Sequence, residues 1–100
     1  MGLDLRWTAH DRATLDELLD PRDHLNRALA RQPPTAYPQL RGIDPYADTD
    51  VSPSTQLIAE IRHLRDAQSD PEVSMHLNRL LSIAEAALCC TGSYLHFVGD

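Results

Sequence analysis

The fold is decided by residues 70–88, which read DPEVSMHLNRLLSIAEAAL. Asp70 is a good N-cap, and Pro71 suits the first helical position, where its missing N–H costs nothing. Apolar residues then recur at helical spacing, which predicts a long amphipathic helix. They are Val73, Leu77, Leu80, Leu81, Ala84, Ala87 and Leu88. We predict that this helix forms the centre of the core and that Gly92 stops it as a C-cap.

Shorter helices are predicted before it from the same kinds of signal. Apolar positions between residues 8 and 19 indicate a first short helix. The pair Asp20-Pro21 marks the start of a second helix, which should end near Arg31. The pair Ser52-Pro53 marks the start of a third helix, which carries apolar residues at helical spacing and should end near Gln68.

Both ends of the chain have the composition of β-strands. Leu5 and Trp7 alternate with polar residues, and residues 94–98 are aromatic and β-branched. Such a ribbon needs packed helices to support it. We therefore predict a single α+β domain over residues 1–100, with three to four helices packed around the long C-terminal helix in the order β-α-α-α-β. A small sheet of N- and C-terminal strands then brings Trp7 near Phe97.

The charge balance opposes two classes of partner. All nine basic residues are Arg, fifteen residues are Asp or Glu, and the net charge is −6. Because binding to nucleic acid or to an anionic membrane needs clustered Lys and Arg, we expect neither. A cationic protein partner suits this balance better.

Features of the N-terminus and of the cysteines predict a cytoplasmic protein. Residues 1–7 contain no apolar run long enough for a signal peptide or a membrane span. Cys89 and Cys90 are neighbours and cannot link distant segments by a disulfide, as expected in a reducing compartment. We expect both to act as small hydrophobic residues at the edge of the core.

The segment with most bearing on function is residues 40–50, LRGIDPYADTD, because loops carry much binding chemistry. It holds four candidate partner-binding residues, Asp44, Tyr46, Asp48 and Asp50. In one interpretation, Asp44 bonds its own backbone in a turn before Pro45. In the other, Tyr46 anchors a recognition surface whose carboxylates face Arg and Lys of a partner. The sequence leaves both interpretations open.

No motif for catalysis or metal binding accompanies this segment. Its carboxylates lack the spacing of an EF-hand loop, and the chain has no Gly-x-Ser-x-Gly elbow or Gly-rich phosphate loop. Glu60 and His63 have the spacing of a di-iron ligand pair, but Glu72 and His76 do not, so we expect a solvated Glu60–His63 ion pair. The five His residues form no His-x-x-x-His pair of the kind that zinc sites use. We predict a non-catalytic protein with no metal and no cofactor.

Two motifs give the chain a resemblance to a group of small bacterial proteins. Those proteins share a central Asp-Pro-Tyr-small-Asp-Thr segment before a helix with an early Gln, and a tail of the form Tyr-Leu-x-Phe-x-Gly-Asp. Here the motifs are residues 44–49, Gln56 and residues 94–100. The chain departs at Ala47, where Gly is common, and at residues 50–53, which replace a more apolar stretch. Small acidic proteins of this kind look like immunity proteins, which neutralise a toxin made by the same cell.

Two functions are therefore expected. The first is an immunity-type protein that occludes a basic toxin, such as a nuclease, through the four residues of the acidic segment. The alternative is a homo-oligomeric structural or regulatory module, such as a homodimer, whose apolar faces meet across a two-fold axis.

Overall fold

Helices and strands are interspersed along the chain in the computed structural model, which describes residues 2–99. In chain order the elements are β1 (Asp4–Thr8), β2 (Thr14–Leu18), α1 (His24–Ala30), α2 (Pro38–Arg41), β3 (Thr49–Val51), α3 (Thr55–Asp66), α4 (Pro71–Leu88) and β4 (Tyr94–Val98). The predicted α+β class, the long helix near the C-terminus and the pairing of the terminal strands are confirmed.

The four strands form one antiparallel sheet in the order β2-β1-β4-β3. The central pair comprises β1 and β4, the strands nearest the two ends of the chain. Leu5 lies opposite Phe97, and Trp7 lies opposite Leu95. Trp7 is thus the diagonal neighbour of Phe97 and not its direct partner.

The predicted helix between residues 8 and 19 is wrong, because this segment forms a β-hairpin with β2 as its second strand. The chain reverses at Arg12, whose φ is 71°, and the amide of Ala9 donates to the carbonyl of Ala13. Pairing with β1 overrides a weak helical pattern, since local propensity yields to tertiary context. Within the strand, Leu18 is half-buried and packs against the core.

Two helices begin later than their proline signals predict. α1 begins at His24, although the carboxylate of Asp20 still accepts a hydrogen bond from the His24 amide. α3 begins at Thr55 and not at Pro53, because the hydroxyl of Ser54 supplies the cap. Ser54 thus caps α3 directly, whereas the N-cap of α1 is Asp23, which makes no side-chain cap bond, and the first amides of α1 donate to the more distant Asp20.

The long helix begins where the sequence predicts. The carboxylate of Asp70 accepts from the amide of Glu72 at 2.9 Å, and Pro71 is the first helical residue. The helix ends at Leu88, before the predicted stop. Gly92, with φ of 84°, lies in the following turn, where its left-handed conformation redirects the chain into β4.

The hydrophobic core lies between the helices and one face of the sheet. α3 packs against α4, and α4 contacts β2 and β4. The largest of the fully buried apolar side chains are Leu5, Leu25, Leu40, Leu57, Ile61, Leu64, Leu77, Leu80, Leu95 and Phe97. None of the helices within residues 2–99 has both the length and the apolar character needed to cross a membrane.

The Pro-rich connector after α1 is non-helical up to Tyr37, and Arg41 organises it. The Arg41 guanidinium donates to the carbonyl oxygens of Ala36, Leu29 and Pro33 at 2.8–2.9 Å. The short helix α2 and the short strand β3 were not predicted. Together they set the two ends of the acidic segment, since it leaves α2 and enters β3.

Candidate partner-binding surface

The acidic segment folds into a loop that its own side chains hold in place. The amide of Tyr46 donates to the Asp44 carboxylate at 2.8 Å, and the amide of Asp44 donates to the Thr49 hydroxyl at 3.0 Å. Asp44 therefore forms the turn of the first interpretation. We call residues 44–50 the acidic loop.

The C-terminal tail lies against this loop and fixes it from one side. The amide of Gly99 donates to the carbonyl of Ala47, and a Cβ at position 99 would lie only 2.7 Å from backbone atoms of Pro45. The two motifs behind the resemblance thus meet in one structural unit. Asp100, the last residue of the tail motif, lies outside the described residues.

Tyr46 and two of the carboxylates point outward from the acidic loop. Tyr46 is 80% exposed, and the side chains of Asp48 and Asp50 are 60% and 63% exposed. Both carboxylates contact His96 of β4, Asp48 at 3.5 Å from Nε2 and Asp50 at 2.5 Å from Nδ1. The structure therefore brings two of the four predicted residues, Asp48 and Asp50, together at His96, a neighbour that sequence reasoning missed.

The contact between Asp50 and His96 belongs to a row of polar residues across the open face of the sheet. Register places Glu17 opposite Arg6, Arg6 opposite His96, and His96 opposite Asp50. Arg6 and Glu17 lie 3.9 Å apart and are both more than half exposed. Such cross-strand pairs favour one register of the sheet, so β3 and the acidic loop have a defined position.

A second candidate region is a groove of about 590 Å³ between the Pro-rich connector and α3. The hydroxyl of Tyr37 lies 2.6 Å from Nδ1 of His63, and burial together with the charge of Glu60 raises the Tyr37 pKa. The buried Glu60 carboxylate accepts from the amides of Gln39 and Leu40. The expected solvated Glu60–His63 ion pair is therefore wrong. Each side chain instead holds the start of α2, where Tyr37 has a φ of 59°.

Exposure at the end of α4 corrects the expectation for the cysteines. Cys89 caps the helix and is exposed, and Cys90 is half-buried beyond it. The helix ends one residue before Cys89, so neither thiol follows the apolar stripe into the core. Both are free cysteines.

A third candidate site is a cluster of side chains that sequence reasoning did not predict. Asp20, His24 and His76 each offer a ligand atom, and these atoms lie within 4.8 Å of one another. The signal available in the sequence was spacing: His24 follows Asp20 by four positions, and His76 follows Glu72 by four positions. That spacing suggests neighbouring side chains within a helix, but only the packing of α1 on α4 brings the two pairs together.

Comparison with known proteins adds no relative to this description: no protein-family model, no curated protein and no solved structure matches the chain.

Proposed function

We propose that the chain is a non-catalytic, cytoplasmic protein-binding module that neutralises a basic protein toxin through Asp44, Tyr46, Asp48 and Asp50. The observation that carries this proposal is the 80% exposure of Tyr46 on a loop with fixed backbone. Tyrosine is enriched among the residues that dominate binding energy, because it offers a large contact area with few rotatable bonds.

The rigidity of the acidic loop supports a binding role. A loop that is already ordered loses little conformational freedom when a partner binds, so more of the contact energy contributes to affinity. Here the Asp44 turn, the Thr49 hydroxyl and the Gly99 amide hold the backbone from three directions.

Charge supports the choice of a basic partner. The net charge is −6, and the exposed carboxylates of Asp48 and Asp50 follow Tyr46 in the sequence and share the contact with His96. Complementary charges raise the rate of encounter and suppress partners of the wrong sign. A toxin that acts on nucleic acid needs a basic cleft, and this surface would compete for the same Arg and Lys.

Site-specific photo-crosslinking tests this proposal. A photoreactive amino acid replaces Tyr46 in the native host, and a matched control carries it at Met75, which is 71% exposed on α4. We expect position 46 to capture a basic protein that inhibits growth when produced alone and is tolerated when co-produced with this chain. Equal capture at position 75, or a captured protein that does not inhibit growth, would contradict the proposal.

A homodimer is the second candidate, and an edge strand supports it. β2 ends the sheet, and Leu15 and Leu19 on or beside it are 47% and 62% exposed. Edge strands offer unpaired backbone groups to a second chain, and two-fold dimers are the commonest assembly. Light scattering of the purified protein should then report a dimer that Leu15→Asp converts to a monomer. A parent chain that is already monomeric would exclude this second candidate.

A further inference from the structure

The cluster of Asp20, His24 and His76 joins three parts of the fold. Asp20 follows the N-terminal hairpin, His24 is the first residue of α1, and His76 lies in the second turn of α4. Nδ1 of His24 is 3.3 Å from Oδ1 of Asp20, and Nε2 of His76 is 3.5 Å from Oδ2 of Asp20. The two imidazole rings have centroids 5.3 Å apart.

The side chains of this cluster are more deeply buried than polar side chains usually are. The side chain of Asp20 is 0% exposed, that of His76 9%, and that of His24 16%. Within residues 2–99, Nδ1 of His24 is buried and makes no hydrogen bond. Buried polar atoms are nearly always bonded, so an unbonded nitrogen beside a carboxylate indicates that a ligand can bind there.

Asp20 is held in place by contacts that do not involve either imidazole. Its amide donates to the Asp4 carboxylate at 2.8 Å, and its own carboxylate accepts from the amides of His24 and Leu25. Gly2 packs so closely that a Cβ there would lie 1.9 Å from the Asp20 carbonyl oxygen. The carboxylate is therefore a preorganised group, and each of its oxygens has a further lone pair.

Two of the separations among the three side chains are close to those around a tetrahedral metal ion. Zinc bonds to nitrogen and oxygen are about 2.0–2.1 Å long, and tetrahedral geometry then places ligand atoms about 3.3–3.4 Å apart. The distance from Asp20 to His24 is 3.3 Å at Oδ1, and the distance to His76 is 3.5 Å at Oδ2. The ligand atoms of the three residues all lie within 4.8 Å of one another. Two imidazoles and one carboxylate also form a donor set that suits borderline transition metals better than it suits calcium or magnesium.

One further contact agrees with this donor set. The other nitrogen of His24, Nε2, lies 3.8 Å from the Glu72 carboxylate. Metal-binding histidines commonly donate their second N–H to a carboxylate, which fixes the ring and makes it a better ligand.

We propose that Asp20, His24 and His76 bind one Zn²⁺ ion through a carboxylate oxygen, Nδ1 and Nε2, with water in the fourth position and Glu72 supporting His24. The ion would cross-link the N-terminal hairpin, α1 and α4 and thereby stabilise the fold. This site is separate from the residues of the acidic loop, so it stands or falls independently of toxin binding.

Titration with Zn²⁺ and with Co²⁺ tests the site. The starting protein carries Cys89→Ser and Cys90→Ser, so that these accessible thiols cannot bind the metal, and is first stripped with a chelator. We expect one equivalent of Co²⁺ to give the strong visible absorption of a four-coordinate ion, and Zn²⁺ to abolish it by displacement. Zinc should also raise the melting temperature. No binding, or the weak absorption of six-coordinate Co²⁺, would overturn the proposal.

Single substitutions locate the ion. Loss of a supporting carboxylate weakens metal sites by about 10- to 100-fold, so Glu72→Gln should do this and His76→Gln or His24→Gln should exceed it. His10→Gln is the matched control, because His10 is exposed. Circular dichroism checks that each variant is folded. If a folded His76→Gln variant binds zinc as tightly as the His10→Gln control, the assignment is wrong.

Discussion

The amide of Gly99 donates a hydrogen bond to the carbonyl oxygen of Ala47 across 3.2 Å. This bond joins the C-terminal tail to the acidic loop, and the pairing of β4 with β3 continues the same contact along the sheet. The loop that carries Tyr46 therefore has the sheet and the tail as its support. A change in the tail should affect the loop even though it alters no loop residue.

Gly99→Ala tests this support. A Cβ at position 99 would lie 2.7 Å from the carbonyl of Pro45, and such overpacking typically destabilises a protein by about 1–3 kcal/mol. Gly42→Ala is the control, because Gly42 has an ordinary helical φ of −72° and its nearest non-neighbouring atom is 3.4 Å away. Urea unfolding should show a loss for Gly99→Ala and a change near zero or a small gain for Gly42→Ala. Equal stabilities would mean that the tail does not support the loop.

Leu77→Ala tests the role of α4 as the centre of the core. Leu77 is fully buried, so we expect its truncation to lower the free energy of unfolding by about 2–5 kcal/mol. Met75 lies two residues earlier on the same helix and is 71% exposed. Met75→Ala should change stability by no more than about 0.5 kcal/mol. Similar losses for the two variants in urea unfolding would show that the buried face of α4 is wrongly assigned.

Glu60→Ala tests whether this carboxylate holds α2. The substitution leaves the amides of Gln39 and Leu40 without their acceptor, which should cost about 1–3 kcal/mol of stability. Glu60→Gln keeps one acceptor oxygen and should cost less. Hydrogen exchange at Leu40 should accelerate in the Ala variant. Unchanged exchange at Leu40 would show that Glu60 does not cap α2.

Protonation of His76 should make stability depend on pH in metal-free buffer. Its folded pKa is lowered below the ordinary value of 6.5, chiefly by burial and also by His24, against the opposing charge of Asp20. The unfolded chain therefore binds the proton first, and this contribution to stability is lost as the pH falls below about 6.5. Its slope cannot exceed about 1.4 kcal/mol per pH unit for one group.

Urea unfolding between neutral pH and about pH 5, with a chelator present, measures this slope. His76→Gln should reduce it, and His10→Gln should not. An identical pH dependence in parent and His76→Gln protein would show that protonation of His76 does not affect folding, whatever its burial.

The sequence predicted the elements whose signals are local and strong. Asp70-Pro71 and the apolar stripe after it located α4, alternation located β1, and aromatic and β-branched composition located β4. The hairpin strand β2 was missed because residues 14–18 carry too few apolar residues to distinguish a strand from a helix, and pairing with β1 decided between them. α1 begins later than predicted because the Asp20 carboxylate accepts from the amides of His24 and Leu25, beyond Pro21.

In the candidate sites, too, the sequence showed local features but not the contacts that depend on tertiary structure. Residues of the acidic loop are consecutive, so their composition was visible in the sequence, whereas their contact with His96 depends on the β3–β4 register. The Asp20, His24 and His76 cluster depends on the packing of α1 against α4. No spacing along the chain encodes that contact, and the three residues do not match the spacing of known zinc motifs.

The most direct test of a binding role for the acidic loop is to measure the affinity of the captured partner for the parent chain and for variants of the loop. Asp48→Lys changes an exposed loop carboxylate, whereas Asp50 also belongs to β3 and is less suitable alone. Asp66→Lys is the matched control, since it alters net charge equally at an exposed site on α3. We predict that Asp48→Lys weakens binding by about tenfold or more, and Tyr46→Ala by about 2 kcal/mol or more, with melting temperatures unchanged. Equal affinities for parent, Asp48→Lys and Tyr46→Ala at physiological salt would contradict a binding role for the acidic loop.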